Sequence, residues 1–174
     1  MKIGFRVDSS DALGLGHLNR SITLASEFKR VGVKVFFYSS NLLGNSDDLI
    51  NEKGFNLTKL NKNKIRQNKF KKEYIIQDAL KIVDYIKKVN LDLIIVDNYL
   101  INEKWEKIVS RYCKIALIHD FLQRKTYCNY LISYHLTNNR NISKFLMDKS
   151  CFRLTDSQYT IIKKKRSFLK KTIN

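Results

Sequence analysis

The strongest constraint on this chain is the regular alternation of strand-length apolar runs with amphipathic segments of helical period. "KIGFRVD" reads as a strand that ends at Asp8. "HLNRSITLASEFKRVG" follows, with Leu18, Ile22, Leu24, Ala25 and Phe28 at helical spacing and Gly32 as its stop. "VKVFFYSS" is the β-branched and aromatic run expected of the next strand. Strand, loop, helix, strand is the βαβ unit, whose crossover makes its two strands parallel. The pattern then repeats: "SDDLINEKG" predicts a short helix, "FNLTKL" a strand and "EYIIQDALKIVDYIKKVN" a long amphipathic helix. "LDLIIVDNY" is almost continuously apolar, as a strand buried on both faces must be. "NEKWEKIVSRY" predicts a helix, and "CKIALIHD" and "CNYLISY" predict two more strands.

This pattern predicts an α/β fold, a Rossmann-like parallel sheet flanked by helices. Strands ending in Asp97 and Asp120 carry polar residues to one edge of the sheet, the edge at which open α/β sheets bind ligands. At 174 residues the chain suffices for one ordinary domain. No repeat, linker or internal boundary divides it. No run approaches the ~20 apolar residues of a membrane span, and "MKIGFRVD" is too charged and too short for a secretory signal. A cytoplasmic location is therefore expected.

Cys113, Cys128 and Cys151 are odd in number and lack a C-x-x-C spacing, so neither a disulfide framework nor a metal site is expected, and each reads as a small buried residue. The net charge of +17 would suit nucleic acid if it were spread over one face. Instead, "NKNKIRQNKFKK" (61–72) and the tail from Cys151 to Asn174 supply 12 of the 17 charges. Neither run interleaves the aromatics that stack on bases, so the charge reads as a solvated loop and tail rather than a nucleic-acid groove. The end of the tail, "DSQYTIIKKKRSFLKKTIN", reads as a basic helix.

The loop between the first strand and first helix, "DSSDALGLGHLNR", concentrates the candidate chemistry. It is not a phosphate-binding Walker loop, because no Gly-Lys-Ser/Thr follows. It is not a dinucleotide fingerprint either, because Asn19 stands at the third glycine position and no acidic residue ends the second strand. What remains is a glycine pair, Gly14 and Gly16, that lets backbone approach a ligand at the positive end of a helix. His17 sits at that end. A lone histidine there would serve as a cap or a half-buried residue. Asp8, Ser9, Ser10 and Arg20 change the reading, because a histidine among them suits a general base or polarising group. Asp8 could orient its second nitrogen, and Arg20 could bind an anion or pair with Asp8.

The whole stretch resembles the N-terminal signature of the UDP-2,4-diacetamido-2,4,6-trideoxy-β-L-altropyranose hydrolases of pseudaminic (nonulosonic) acid biosynthesis, relatives of the MurG-type glycosyltransferases. That signature is an Asp, five residues, then Gly-x-Gly-His-x-x-Arg. Asp8, Gly14, Gly16, His17 and Arg20 match every position. "LDLIIVDNYLI" is similar to the family's strand ending in Val-Asp-x-Tyr, and "KIALIHDFLQRKTYCNYLIS" is similar to its Ile-Asp-Asp strand and the Cys-Asp strand after it. Departures are His119 for the first Asp of the pair, Asn129 after Cys128, Ser133 at the end of that strand and Lys163 for an Arg.

The resemblance implies the N-terminal half of a GT-B-like two-domain fold. Residues 1–150 would form the catalytic, sugar-side domain, and 151–174 a basic tail or the start of an interdomain segment. A second, UDP-binding domain would begin about where the tail ends, encoded separately or lost. The implied reaction needs no metal or other cofactor: water attacks the anomeric carbon with inversion, releasing UDP and the free sugar. By the same resemblance His17 is the base or water-positioning group and Asp8 orients it. Gly14, Gly16 and Arg20 bind substrate at the loop, and Asp97, Tyr99 and Asp120 line the sugar side. The expected partners are a UDP-linked 2,4-diacetamido sugar and either a separately encoded domain or a second copy. Two other readings compete with the hydrolase: a glycosyltransferase-like acceptor domain, and a non-catalytic remnant acting as an interaction module.

Overall fold

The computed structural model describes residues 1–66, 72–120, 122–133, 142–155 and 161. Seven strands form one sheet in the order β3-β2-β1-β4-β5-β6-β7, with every neighbouring pair parallel. They are β1 (Lys2–Val7), β2 (Lys34–Ser39), β3 (Asn56–Lys59), β4 (Leu93–Asp97), β5 (Lys114–Ile118), β6 (Tyr130–Ser133) and β7 (Phe152–Thr155). The helices are α1 (Gly16–Arg30), α2 (Asp48–Glu52), α3 (Lys72–Val89) and α4 (Glu103–Val109). This is the predicted Rossmann-like α/β architecture. The order reverses between β1 and β4, the switch point at which open α/β sheets form a ligand-binding crevice outside the carboxyl ends of their strands.

The pleat of β1 divides the core in two. Ile3, Phe5 and Val7 face one side and pack with Leu18, Ile22 and Ala25 of α1, together with Phe37, Ile95 and Ile118. The other side is built by α3 and α4, where Ile82, Val83, Trp105 and Val109 cover Ile94, Val96, Ile115 and Leu117. Burial on both faces explains why β4 and β5 read as continuous apolar runs. Gly32 ends α1 with φ +83°, a conformation that glycine adopts without a Cβ penalty.

Ten of the predicted elements appear where the sequence pattern puts them. An eleventh element, β7, departs from the expected tail at residue 151: Phe152–Thr155 pairs along β6 from Tyr130↔Phe152 to Ser133↔Thr155. The strand is four residues long at the edge of the sheet, and the alternation of Phe152 and Leu154 with Arg153 and Thr155 is too short to distinguish it from a tail. Residues 67–71 of the basic loop and the helix expected after Asp156, apart from Ile161, lie outside the described residues. Ile161 packs against the α1-side core.

Candidate functional site

Three strand ends build the floor of the switch-point crevice. Asp8 follows β1, Asp97 ends β4 and Asp120 follows β5. Above them the loop Ser9–Leu15 turns into α1. Gly14 takes φ +69° and closes the loop by donating its N–H to the Ser10 carbonyl at 2.8 Å. A Cβ on Gly14 or Gly16 would meet nothing within 4 Å, so both glycines face open space. Leu15, the residue preceding the helix, caps no N–H with its side chain, and no acidic residue lies in the first turn. The positive end of a 15-residue helix therefore opens on the crevice beside His17.

His17 and Arg20, one turn apart on α1, reach down to the same carboxylate. His17 Nδ1 lies 2.7 Å from Asp97 Oδ1. Arg20 donates to Asp97 through Nε at 2.6 Å and Nη2 at 2.5 Å, and to Asp120 through Nη1 at 2.9 Å. Ser21 Oγ adds a longer contact to Asp97 at 3.3 Å. Arg20 Nη2 also stands 3.1 Å from His17 Nδ1. Both contacts of Nδ1 cannot be hydrogen bonds in one tautomer. A bare Nδ1 lone pair would face the Asp97 oxygen at 2.7 Å, so Nδ1 carries the hydrogen and donates to Asp97, which leaves the lone pair of the neutral ring on Nε2.

Burial sharpens the arrangement. The Asp97 side chain is wholly buried, whereas those of His17 and Arg20 keep 15% and 12% exposure. Burial opposes the charge on Arg20, but its hydrogen bonds and charge pairing with Asp97 and Asp120 outweigh that and hold it firmly protonated. Tyr99 donates its hydroxyl to Asp120 Oδ2 at 2.7 Å, and its ring meets the His17 ring edge-on at 4.6 Å. Burial, and then the Asp120 carboxylate, push the Tyr99 phenol up to about 12. On its other side Tyr99 packs at 5.1 Å against His119. Burial, followed by the Arg124 charge, pushes His119 below the ordinary histidine value. Among the described residues no group of three His, Cys, Asp or Glu could hold a metal ion, and the Arg20 guanidinium bridges the two carboxylates.

His17, Arg20, Asp97, Tyr99 and Asp120 thus come together as one cluster under the Gly14–Gly16 loop. Asp8 does not join it. The structure corrects the expected Asp8–His17 pair: the carboxylate on His17 belongs to Asp97. Asp8 instead receives Arg6 Nη1 at 2.5 Å and Nη2 at 3.0 Å, the Ser40 N–H at 2.7 Å and Asn98 Nδ2 at 2.7 Å. Arg6 runs on to Asp78 of α3, with Nη2 at 2.7 Å, and Trp105 Nε1 donates to the same Asp78 at 2.7 Å. Arg20 likewise does not pair with Asp8, and its donors are taken by carboxylates instead of being held out for an anion. Sequence reasoning missed the Arg6–Asp78–Trp105 connection. Its one legible trace is Asp78, a charge on the apolar face of α3 between Ile75 and Ile82.

No family model matches the sequence. The chain is 30% identical over 124 residues to an uncharacterized protein of Methanocaldococcus jannaschii, an alignment that covers 69% of this chain and 22% of that protein. Among solved structures it is similar to MurG of Acinetobacter baumannii, with a TM-score of 0.52 and 8% identity over 76% of this chain. It is also similar to a glycosyltransferase from Rickettsia africae, with a TM-score of 0.58 and 13% identity over 88% of this chain. The chain spans 40% and 42% of the length of those two structures. Over the described residues the chain shares its Rossmann-like α/β fold with these two structures.

Proposed function

We propose that this chain supplies the sugar-side half of a UDP-sugar hydrolase site, in which His17 delivers water to the anomeric carbon of a UDP-linked 2,4-diacetamido sugar. The observation that carries the reading is the His17–Asp97 contact of 2.7 Å directly beneath the open glycine loop. Asp97 holds the Nδ1–H tautomer and stabilises positive charge on the ring as Nε2 takes a proton from the attacking water. The water oxygen forms its bond to the anomeric carbon while the bond from that carbon to the diphosphate breaks, and UDP leaves as an anion. The free N–H groups at the start of α1 favour negative charge on that diphosphate. Tyr99 and Asp120 form the wall for the sugar. Arg20 acts as a positioning residue that fixes Asp97 and Asp120 rather than as a ligand for the substrate.

Likeness of the fold to MurG and to a glycosyltransferase supports a sugar nucleotide as the ligand class. It also favours a second reading, transfer of the sugar to an acceptor hydroxyl in place of water. Release of UDP from a UDP-2,4-diacetamido-2,4,6-trideoxyhexose, with the sugar product identified, separates the two. Hydrolysis yields the free sugar, and His17→Ala should lower its rate by on the order of 10²–10⁴. Equal rates in the two proteins overturn the role of His17, and a glycoside formed with added acceptor identifies transfer.

A further inference from the structure

Cys128 and Cys151 lie at the amino ends of their strands, away from the crevice, and read in the sequence as small buried residues. Cys151 immediately precedes β7 and Cys128 lies two residues before β6, and these neighbouring parallel strands pair at Tyr130↔Phe152. Their Sγ atoms are 3.6 Å apart, and the side chains are nearly buried. Closing to a disulfide requires the sulfurs to approach by about 1.5 Å. Cys151 also lines a cavity of about 380 Å³ whose other walls are Lys144, Leu146, Lys149 and Arg153. One thiol of the pair therefore opens on a concavity lined by three cationic side chains, with the second thiol directly behind it.

We propose that Cys151 and Cys128 form a peroxide-responsive thiol pair, with Cys151 as the attacking thiolate and Cys128 as the resolving thiol. The hydrogen bond from Cys128 holds Cys151 below the ordinary thiol value against burial and the nearby Asp148, and Arg153 adds to the effect. The same contact, with burial, raises Cys128. A low, cation-flanked thiol with a resolving partner is the arrangement that oxidises selectively and reversibly. In the first step the Cys151 thiolate attacks one oxygen of a hydroperoxide. The O–O bond breaks, the other oxygen leaves as hydroxide (or alkoxide) and takes a proton to become water (or alcohol), and Cys151 becomes a sulfenic acid. In the second, Cys128 sulfur attacks the Cys151 sulfur, the S–O bond breaks, and the Cys128 proton leaves with the hydroxide as water. Two thiols are oxidised to one disulfide as one peroxide is reduced.

Cys113 is an internal control. It is buried, its sulfur lies 3.5 Å from the Leu91 carbonyl, and burial, followed by Asp92, pushes its thiol up to about 11. The test exposes the reduced full chain to hydrogen peroxide under native conditions, quenches by alkylation and reads intact mass and a non-reducing peptide map. The expected result is loss of two hydrogens, a peptide bridged between Cys128 and Cys151, reversal by dithiothreitol, and oxidation at least about tenfold faster than at Cys113. Cys128→Ser should stop at a Cys151 sulfenic acid that dimedone traps, whereas Cys151→Ser should leave Cys128 unmodified over the same exposure. Three thiols alkylated at equal rates, a bridge through Cys113, or equal dimedone trapping in the two serine variants overturns the proposal. None of these readouts involves sugar turnover, so the pair and the hydrolase reading stand or fall separately.

Discussion

At the carboxyl end of the sheet two arginines each sit between two aspartates: Arg6 between Asp8 and Asp78, and Arg20 between Asp97 and Asp120. The chemistry of the two clusters is the same, but their access to water differs. Arg6, Asp8 and Asp78 have side chains no more than 1% exposed, and Ser40, Asn98 and Trp105 satisfy further donors and acceptors around them. Arg20 and His17 keep 12% and 15% exposure, and Asp120 keeps 7%. A sealed ionic cluster offsets its desolvation only if every member is paired, so it specifies geometry and has nothing left to offer a ligand. In the open one, buried Asp97 fixes one nitrogen of His17, and the other is the one that the proposed reaction uses. The sealed cluster locks β1, α3 and α4 together, and the open one stays within reach of water beside it.

Breaking the sealed cluster should have the largest effect. Arg6→Met leaves Asp8 and Asp78 buried without their cation and should cost about 3–5 kcal/mol of stability in urea unfolding. Arg20→Met should cost clearly less, because water reaches that cluster, and equal losses would erase the distinction between the two regions. The open cluster should instead be sensitive in activity. Asp97→Asn should lower UDP release by on the order of 10²–10⁴ in a chain that circular dichroism shows to be folded, because the amide no longer holds the Nδ1–H tautomer.

Two pH measurements probe the rim of the open cluster. His119 has its folded value pushed down, so the unfolded chain binds its proton first as pH falls. Stability from His119 is therefore full above about pH 6.5 and is lost as pH drops from there toward the lower folded value. His119→Gln should flatten the stability slope in that acid range, and an unchanged slope would remove His119 from it. The smallest effect concerns Tyr99, whose phenol is raised to about 12. Its contribution is present below about pH 10 and is lost as pH rises toward about 12. In a difference titration against Tyr99→Phe, phenolate absorbance should be missing at pH 10–11, and normal ionisation there would show that the Asp120 contact does not persist.

Much of this was legible in the sequence because period and burial are local properties. The solid run "LIIVD" reports two-sided burial without reference to any partner, whereas the alternating "KIGFRV" is buried on both faces only because its polar position, Arg6, is paired inside. The site residues His17, Arg20, Asp97, Tyr99 and Asp120 were legible by spacing and resemblance, and the fold brings them together. Their pairing was not. Asp8 and Asp97 end adjacent strands, and nothing in the local sequence says which of them reaches His17. Asp78, 72 residues from Arg6, removes Asp8 from contention by helping Arg6 claim it. β7 was missed for a different reason, since the alternation in its four residues is too short to declare a strand.

By itself the sequence determined the class of fold, the position of the glycine loop and the residues that could carry chemistry, because these follow from periodicity and from the types of residue at fixed spacing. Tertiary structure alone decided which carboxylate serves which cation and which thiol meets which. Those pairings depend on side chains from distant segments converging within about 3 Å of one another, a separation that strand order and helix docking set and that no local pattern encodes.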